Sequence, residues 1–152
     1  TGLIEEMKRD REVQMATPVL QCDSHTLNMF IEDRRNGQVG GTTAVFDRNW
    51  DALYFSKEVL PFTDKPYAAD AGTPVYHHVG AYAYRPKTLG QYVSWPEGAL
   101  ERLEGLEQLR FLDQAVKVRC VLVEGKGRVF WELNNPVDVA RIEGVLKQNG
   151  WP

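Results

Sequence analysis

Val116-Lys117-Val118-Arg119-Cys120 alternates apolar and charged side chains, and Val121-Leu122-Val123 continues as a wholly apolar run. Period-two alternation passing into a short apolar run predicts a strand from Val116 to Glu124. The sequence on either side makes that strand part of an α/β unit. Upstream, Ser94-Trp95-Pro96-Glu97 has the spacing of a capping box and predicts a helix running to about Ala115. On that helix Leu103, Leu106 and Leu109 share one arc, and Glu101, Glu104, Glu107 and Gln108 share another. Downstream, Gly125-Lys126-Gly127 breaks the strand. Asn135-Pro136 then reads as an N-cap followed by proline at the first helical position, with Asp138 in the first turn, where negative charge suits the helix dipole. Val139, Ile142, Val145 and Leu146 give this last helix an apolar stripe for burial.

The same alternation runs through the first half. Gly2 to Val13 predicts a short amphipathic helix, and Met15 to Gln21 a strand. Asp23 or Ser24 caps a helix that ends near Asn36-Gly37. Gly40 to Phe46 and Ala52 to Ser56 are strand-like, with Asp47-Arg48-Asn49 turning between them. Pro61 to Pro74 reads as a loop, and Val75 to Tyr84 as one further strand. With no repeat and no internal linker, the expectation is one α/β unit around a mixed sheet.

Composition excludes several classes of function. The 152 residues carry 18 Lys+Arg against 21 Asp+Glu, a net charge of −3, which argues against a strongly basic nucleic-acid binder. No apolar run approaches the roughly 18 residues that a membrane span needs. The charged segment Thr1 to Val13 does not have the form of a signal peptide. Two cysteines far apart, Cys22 and Cys120, make neither a disulfide framework nor a zinc site, so a reducing cytoplasm is the expected location.

Few residues point to chemistry on their own. His77 and His78 adjoin on a strand, so they face opposite ways and do not together ligate one metal, and His25 reads as a surface residue. Glu107 and Gln108 sit at the edge of the polar arc, where their donors and acceptors suit sugar hydroxyls; a solvated helix face is the plainer reading. The cluster Gly37 to Thr43 lacks the lysine and spacing of a P-loop. Asn134 lies at a strand-to-helix junction, where α/β sheets place ligands, and offers an oxygen to a hydrated Mg²⁺; a turn asparagine is the plainer alternative.

Several segments resemble, in order, the C-terminal part of the 3-deoxy-manno-octulosonate cytidylyltransferase (CMP-Kdo synthetase) family. Ala52-Leu53-Tyr54-Phe55-Ser56-Lys57, followed by Leu60-Pro61, is similar to the family's A-L-Y-F-S-R and I-P. His78-Val79-Gly80-Ala81-Tyr82-Ala83-Tyr84-Arg85 is similar to H-I/L-G-I-Y-G-Y-R. Leu103 to Arg110 is similar to I-E-M-L-E-Q-L-R, Asn134 to Asp138 stands where the family has D-T-P-E-D, and Met15-Ala16-Thr17 matches a family strand.

The resemblance implies a three-layer, Rossmann-like nucleotide-diphospho-sugar transferase fold with a mixed sheet, lacking its N-terminal nucleotide-binding part. The implied reaction joins CMP from CTP to the sugar acid Kdo and releases pyrophosphate, with Mg²⁺ as cofactor, for lipopolysaccharide or capsule synthesis. It further implies that His78, Tyr82, Glu107 and Gln108 contact the sugar acid and that Asn134 stands at the metal position. On one strand, His78 and Tyr82 would face the same side. A homodimer is implied, with Trp50, Trp95 and Trp131 as candidates to line its contact, and core burial as their plainer role. No nucleic acid or membrane partner is expected. Three departures accompany the resemblance: Asn134 replaces an aspartate, Lys57 replaces an arginine, and the family's L-x-x-R-x-x-S-x-R-L-P-x-K and Q-G-D-E-P motifs do not occur. The expectation is therefore the sugar-acid and dimerisation portion of a longer enzyme, inactive alone, with a non-catalytic sugar-binding or dimerising module as the alternative.

Overall fold

The structure is a computed structural model and describes residues 2–68, 71–125, 130, 132–148 and 150. Chain order gives α1 (Gly2–Arg9), β1 (Met15–Asp23), α2 (Ser24–Arg35), β2 (Thr43–Phe46), β3 (Ala52–Ser56) and β4 (Gly72–His78). It continues with β5 (Ala83–Tyr84), α3 (Pro86–Tyr92), α4 (Ala99–Glu104), α5 (Leu109–Asp113), β6 (Val118–Leu122) and α6 (Pro136–Gln148).

The apolar strand β1 organises the sheet. It pairs antiparallel with β4 and β5 and parallel with β6, while β2 pairs antiparallel with both β3 and β4. The path β3-β2-β4-β1-β5, with β6 on β1, is therefore a mixed sheet. Alternation along β1 divides the core into layers. Met15 and Val19 meet Phe55, Leu109, Phe111 and Val118 on one face. On the other face Ala16 packs with Met7 and Val13 under α1, and Cys22 packs with Leu27, Phe30 and Val75 under α2. Helices thus cover both faces, the expected mixed α/β architecture.

The long helix expected from Ser94 does not form. Ser94 donates its hydroxyl back to Gln91 O, and Gly98 takes the N-cap of α4 instead. Gly105 adopts the left-handed conformation (φ 63°) that ends α4 and leaves only short α5 beyond it. The proposed leucine arc is lost: Leu109 is buried and Leu106 half-buried, but Leu103 is 82% exposed. The acidic arc is lost with it, since Glu101 turns inward onto Arg110 (2.5 and 2.7 Å). That pairing holds the Glu101 carboxyl below its usual value of 4.5. Its contribution is present above pH 4.5 and lost as pH falls through the lowered value. Glu101→Gln is therefore expected to lower the urea midpoint at pH 7, with the deficit shrinking toward pH 3. A deficit independent of pH would remove the ion pair as its cause.

Other expectations are corrected too. The segment Val75 to Tyr84 is not one strand: β4 ends at His78 and β5 begins at Ala83. The loop begun at Pro61 ends earlier than expected, because Gly72 to Pro74 join β4. α1 stops at Arg9, Thr43 begins β2, and α3 was not anticipated. On α6, Val139 and Leu146 are exposed while Ile142 and Val145 are half-buried, so the helix buries its apolar stripe only in part. Arg141 ties α6 to α2, donating to both oxygens of Asp33 (2.8 Å each), and it also donates to Asp138 within α6 (3.1 Å). Trp50 stacks on Phe46 (4.5 Å) and Trp95 meets Phe111 edge-on (5.6 Å), so both serve the core, and Trp131 lies outside the described residues. Lys126 and Gly127 of the expected strand break lie outside them as well.

Candidate functional site

The antiparallel β1–β4 pairing sets His77 and His78 on opposite faces. His77 packs edge-on to Phe30 beneath α2 (5.0 Å), whereas His78 packs on Phe55 (4.9 Å) and Tyr82 (5.6 Å). His78 Nε2 lies 2.9 Å from Thr17 Oγ1 on β1. Burial pulls the His78 pKa down to about 4, with the Glu132 carboxylate acting against that shift and His77 adding to it. The ring is therefore neutral at physiological pH.

Tyr82 lies in the connection after β4, so it approaches His78 because the chain turns, not because a strand continues. Its hydroxyl donates to Gln108 Oε1 at 3.1 Å. Burial, then the charge of Glu107, pushes the phenol well above its usual range and keeps it a protonated donor. Gln108 is 1% exposed. Its oxygen accepts from Tyr82, but its Nε2 is buried with no hydrogen-bond partner. Two amide protons left unpaired in a buried position are costly and point to a missing acceptor. Glu107 is exposed in the turn between α4 and α5; burial raises the Tyr84 and Tyr92 phenols, and the Glu107 charge adds to both shifts. His78, Tyr82 and Gln108 thus come together through contacts, with Glu107 at the rim.

Asn134 belongs to an adjoining cleft of about 440 Å³ lined by Thr42, Lys57, Leu106, Glu132, Asn134 and Asn135. Asn135-Pro136 starts α6 as the sequence predicts. The buried Asp138 carboxylate reaches back to accept from the backbone N–H of Asn134 (3.0 Å) and Asn135 (2.6 Å). Asn134 Nδ2 faces Gly40 O at 3.5 Å, and Asn135 Nδ2 donates to Val39 O at 2.7 Å. Glu132 connects the two regions. Its carboxyl is held low by His77, whose Nε2 lies 3.9 Å away, and by the Asn134 side chain. That separation exceeds a hydrogen bond, and the buried His77 Nε2 has no hydrogen-bond partner.

Of the side-chain oxygens lining this cleft, the Glu132 carboxylate and the Asn134 amide are the pair at the start of α6 suited to Mg²⁺. Among the described residues, no group of three or more His, Cys, Asp or Glu is placed to hold a metal ion. Magnesium commonly takes one or two protein oxygens and completes its shell with water and substrate phosphate. The donor set fits that mode and does not fit an ion held by protein alone.

Sequence reasoning missed Thr17 and Glu132. Thr17 looked like one residue of an apolar strand, and only the β1–β4 pairing brings it to His78. Glu132 carried a readable signal: it is two residues before Asn134, and alternate residues of an extended segment share a side.

The family described as Cytidylyltransferase matches residues 3–118. The chain is 40% identical over 149 residues to the 3-deoxy-manno-octulosonate cytidylyltransferase of Maricaulis maris, covering 98% of this chain and 56% of that protein. It is 34% identical over 146 residues to the enzyme of the same name from Chlamydia abortus, covering 95% and 51%. The solved structure of a CMP:2-keto-3-deoxy-manno-octonic acid synthetase complexed with CTP superposes with a TM-score of 0.70 at 25% identity, covering 97% of this chain and 54% of that one. The chain thus spans about half the length of these relatives. Its matched sequence and its mixed sheet agree, and this chain belongs to the cytidylyltransferase family, with CMP-Kdo synthetases as its relatives.

Proposed function

We propose that this chain provides the sugar-acid side of a CMP-Kdo synthetase, which forms CMP-Kdo and pyrophosphate from CTP and Kdo. The observation that carries this reading is the buried, unpartnered Gln108 Nε2 beside the Tyr82 hydroxyl and the neutral His78 ring. A sugar hydroxyl or carboxylate supplies the acceptor that this amide lacks. Glu107, at the rim, offers carboxylate oxygens to further hydroxyls. Glu132 and Asn134 would hold a Mg²⁺, which would supply neutralisation of the nucleotide's phosphate charge. CTP is the nucleotide expected from the family and from the CTP complex of the structural relative. Dimer formation, a cytoplasmic location and a role in lipopolysaccharide or capsule synthesis complete the proposal. No helix among the described residues is long and apolar enough to cross a membrane.

Calorimetry with Kdo tests the site. Gln108→Ala is expected to weaken Kdo binding about tenfold or more, because it removes a buried hydrogen-bonding group of roughly 1–3 kcal/mol. Unchanged Kdo affinity would remove Gln108 from the site. Pyrophosphate release by the native polypeptide with CTP, Kdo and Mg²⁺ tests the reaction. Kdo binding without pyrophosphate release would favour a sugar-binding module over an enzyme.

A further inference from the structure

The contacts of Thr17 fix more than the position of His78. Its Oγ1 lies 2.9 Å from His78 Nε2, 3.0 Å from Ala81 O and 3.3 Å from Val79 O. A threonine hydroxyl has one proton to donate and two lone pairs that accept. The carbonyls of Val79 and Ala81 only accept, so the hydroxyl proton is directed at them. The lone pairs of Oγ1 are then turned toward the imidazole. A donor at Nε2 pairs with those lone pairs and leaves the hydroxyl proton to the carbonyls, of which Val79 O also accepts from Ala81 N (2.7 Å), whereas a bare Nε2 would compete with them for that one proton. Thr17 is fully buried, so water does not relieve that competition.

From this we infer that Thr17 is a positioning residue that holds His78 as its Nε2–H tautomer, leaving Nδ1 to accept a hydrogen bond from a hydroxyl of the sugar acid. This inference rests on the sugar-acid reading of the site and adds which group of the ligand His78 meets. A neutral ring with Nδ1 bare receives a hydroxyl donor and offers nothing to a carboxylate. The same threonine anchors the connection carrying Tyr82, because its hydroxyl faces Ala81 O (3.0 Å) and Val79 O (3.3 Å) and shares its proton between them. One side chain therefore sets the ring's protonation pattern and the approach of the residue that contacts it.

Nitrogen NMR of the imidazoles in the full chain tests the tautomer without any ligand, with His78 assigned by comparison with His78→Gln. The expected spectrum at pH 7 has a pyrrole-type Nε2 and a pyridine-type Nδ1 for His78. A pyrrole-type Nδ1 overturns the inference. Calorimetry with Kdo then reads the consequence. Thr17→Val is expected to weaken Kdo binding by up to about tenfold, while Thr17→Ser, which keeps the hydroxyl, stays within about threefold of the parent. Equal losses in the two variants, or no loss in either, would overturn the positioning role. Should Thr17→Val fail to fold, the parent spectrum and the serine variant still decide the matter. If the unaltered protein binds no Kdo while the tautomer is as expected, the sugar-acid reading fails and the part played by Nδ1 fails with it.

Discussion

Arg141→Met is expected to lower the free energy of unfolding by about 3 kcal/mol, the low end of the cost of breaking a buried ion pair from one side. Asp33 and Asp138 are both buried, at 1% and 0% exposure, and Arg141 is the cation they share. Removing the guanidinium leaves two carboxylates close together without it, inside the face between α2 and α6. Replacing Asp33 by Asn in the same chain is expected to restore part of the loss, because it removes one of the two charges. A urea series measures both: the midpoint should shift while the slope stays constant. A change below about 1 kcal/mol, the range of exposed ion pairs, would show that solvent screens the cluster. The effect reaches the candidate site, since Asp138 also accepts from the backbone of Asn134 and Asn135. A chain lacking Arg141 should therefore lose order at Asn134 before it loses order at Tyr82.

The second large effect is on acid stability. His78 has a usual pKa of 6.5, which burial lowers to about 4 in the folded chain. As pH falls below 6.5 the unfolded chain takes up a proton that the folded chain still refuses. The stability tied to this ring is complete above pH 6.5 and falls between 6.5 and about 4. The loss over that window is roughly 3 kcal/mol, from about 1.4 kcal/mol per pKa unit. His78→Phe removes the titration and keeps an aromatic ring beside Phe55 and Tyr82. The difference between parent and variant stability, measured by chemical denaturation from pH 7.5 to 4, should slope across that window. Glu101 acts lower, below pH 4.5, so the two contributions separate. A flat difference would show that the folded chain admits the proton at its ordinary pKa.

The parts of the fold that were legible in sequence are those written in local chemistry. Asp23 caps α2 through Thr26 N as its position before an amphipathic segment suggests, and Ala52 to Ser56 forms a strand between its expected bounds. Pro136 begins α6 because its fixed φ and missing N–H suit that place. The failures came where tertiary contacts outweighed local pattern. Ser94 had capping spacing but faced Gln91 O, and Gly105 ended a helix that the leucine spacing would have continued. The candidate contacts came from family motifs. The reasons given for their proximity were partly wrong, because His78 and Tyr82 meet across a bend and Gln108 leaves a turn instead of a helix face. Thr17 and Glu132 stayed hidden because their meaning depends on strand pairing and on a loop's path.

Gly105 has an effect on Glu104 and Gln108 larger than the ending of a helix. On an unbroken helix, positions four apart stand one above the other and must share a neighbour. The left-handed residue inserts a rotation between them. Glu104 is thereby free to bind the β3 end, accepting from Ser56 Oγ (2.7 Å), Lys57 N (2.9 Å) and Tyr54 OH (3.2 Å), while Gln108 meets Tyr82 from another direction. The glycine works as a phase offset in the chain, letting one short segment serve as bracket and as probe. A side chain at 105 would be strained by the left-handed φ, and on the backbone as it stands its Cβ would lie 3.0 Å from Lys57 Nζ. The directions of Glu104 and Gln108 are thus set at a position that carries no functional group at all.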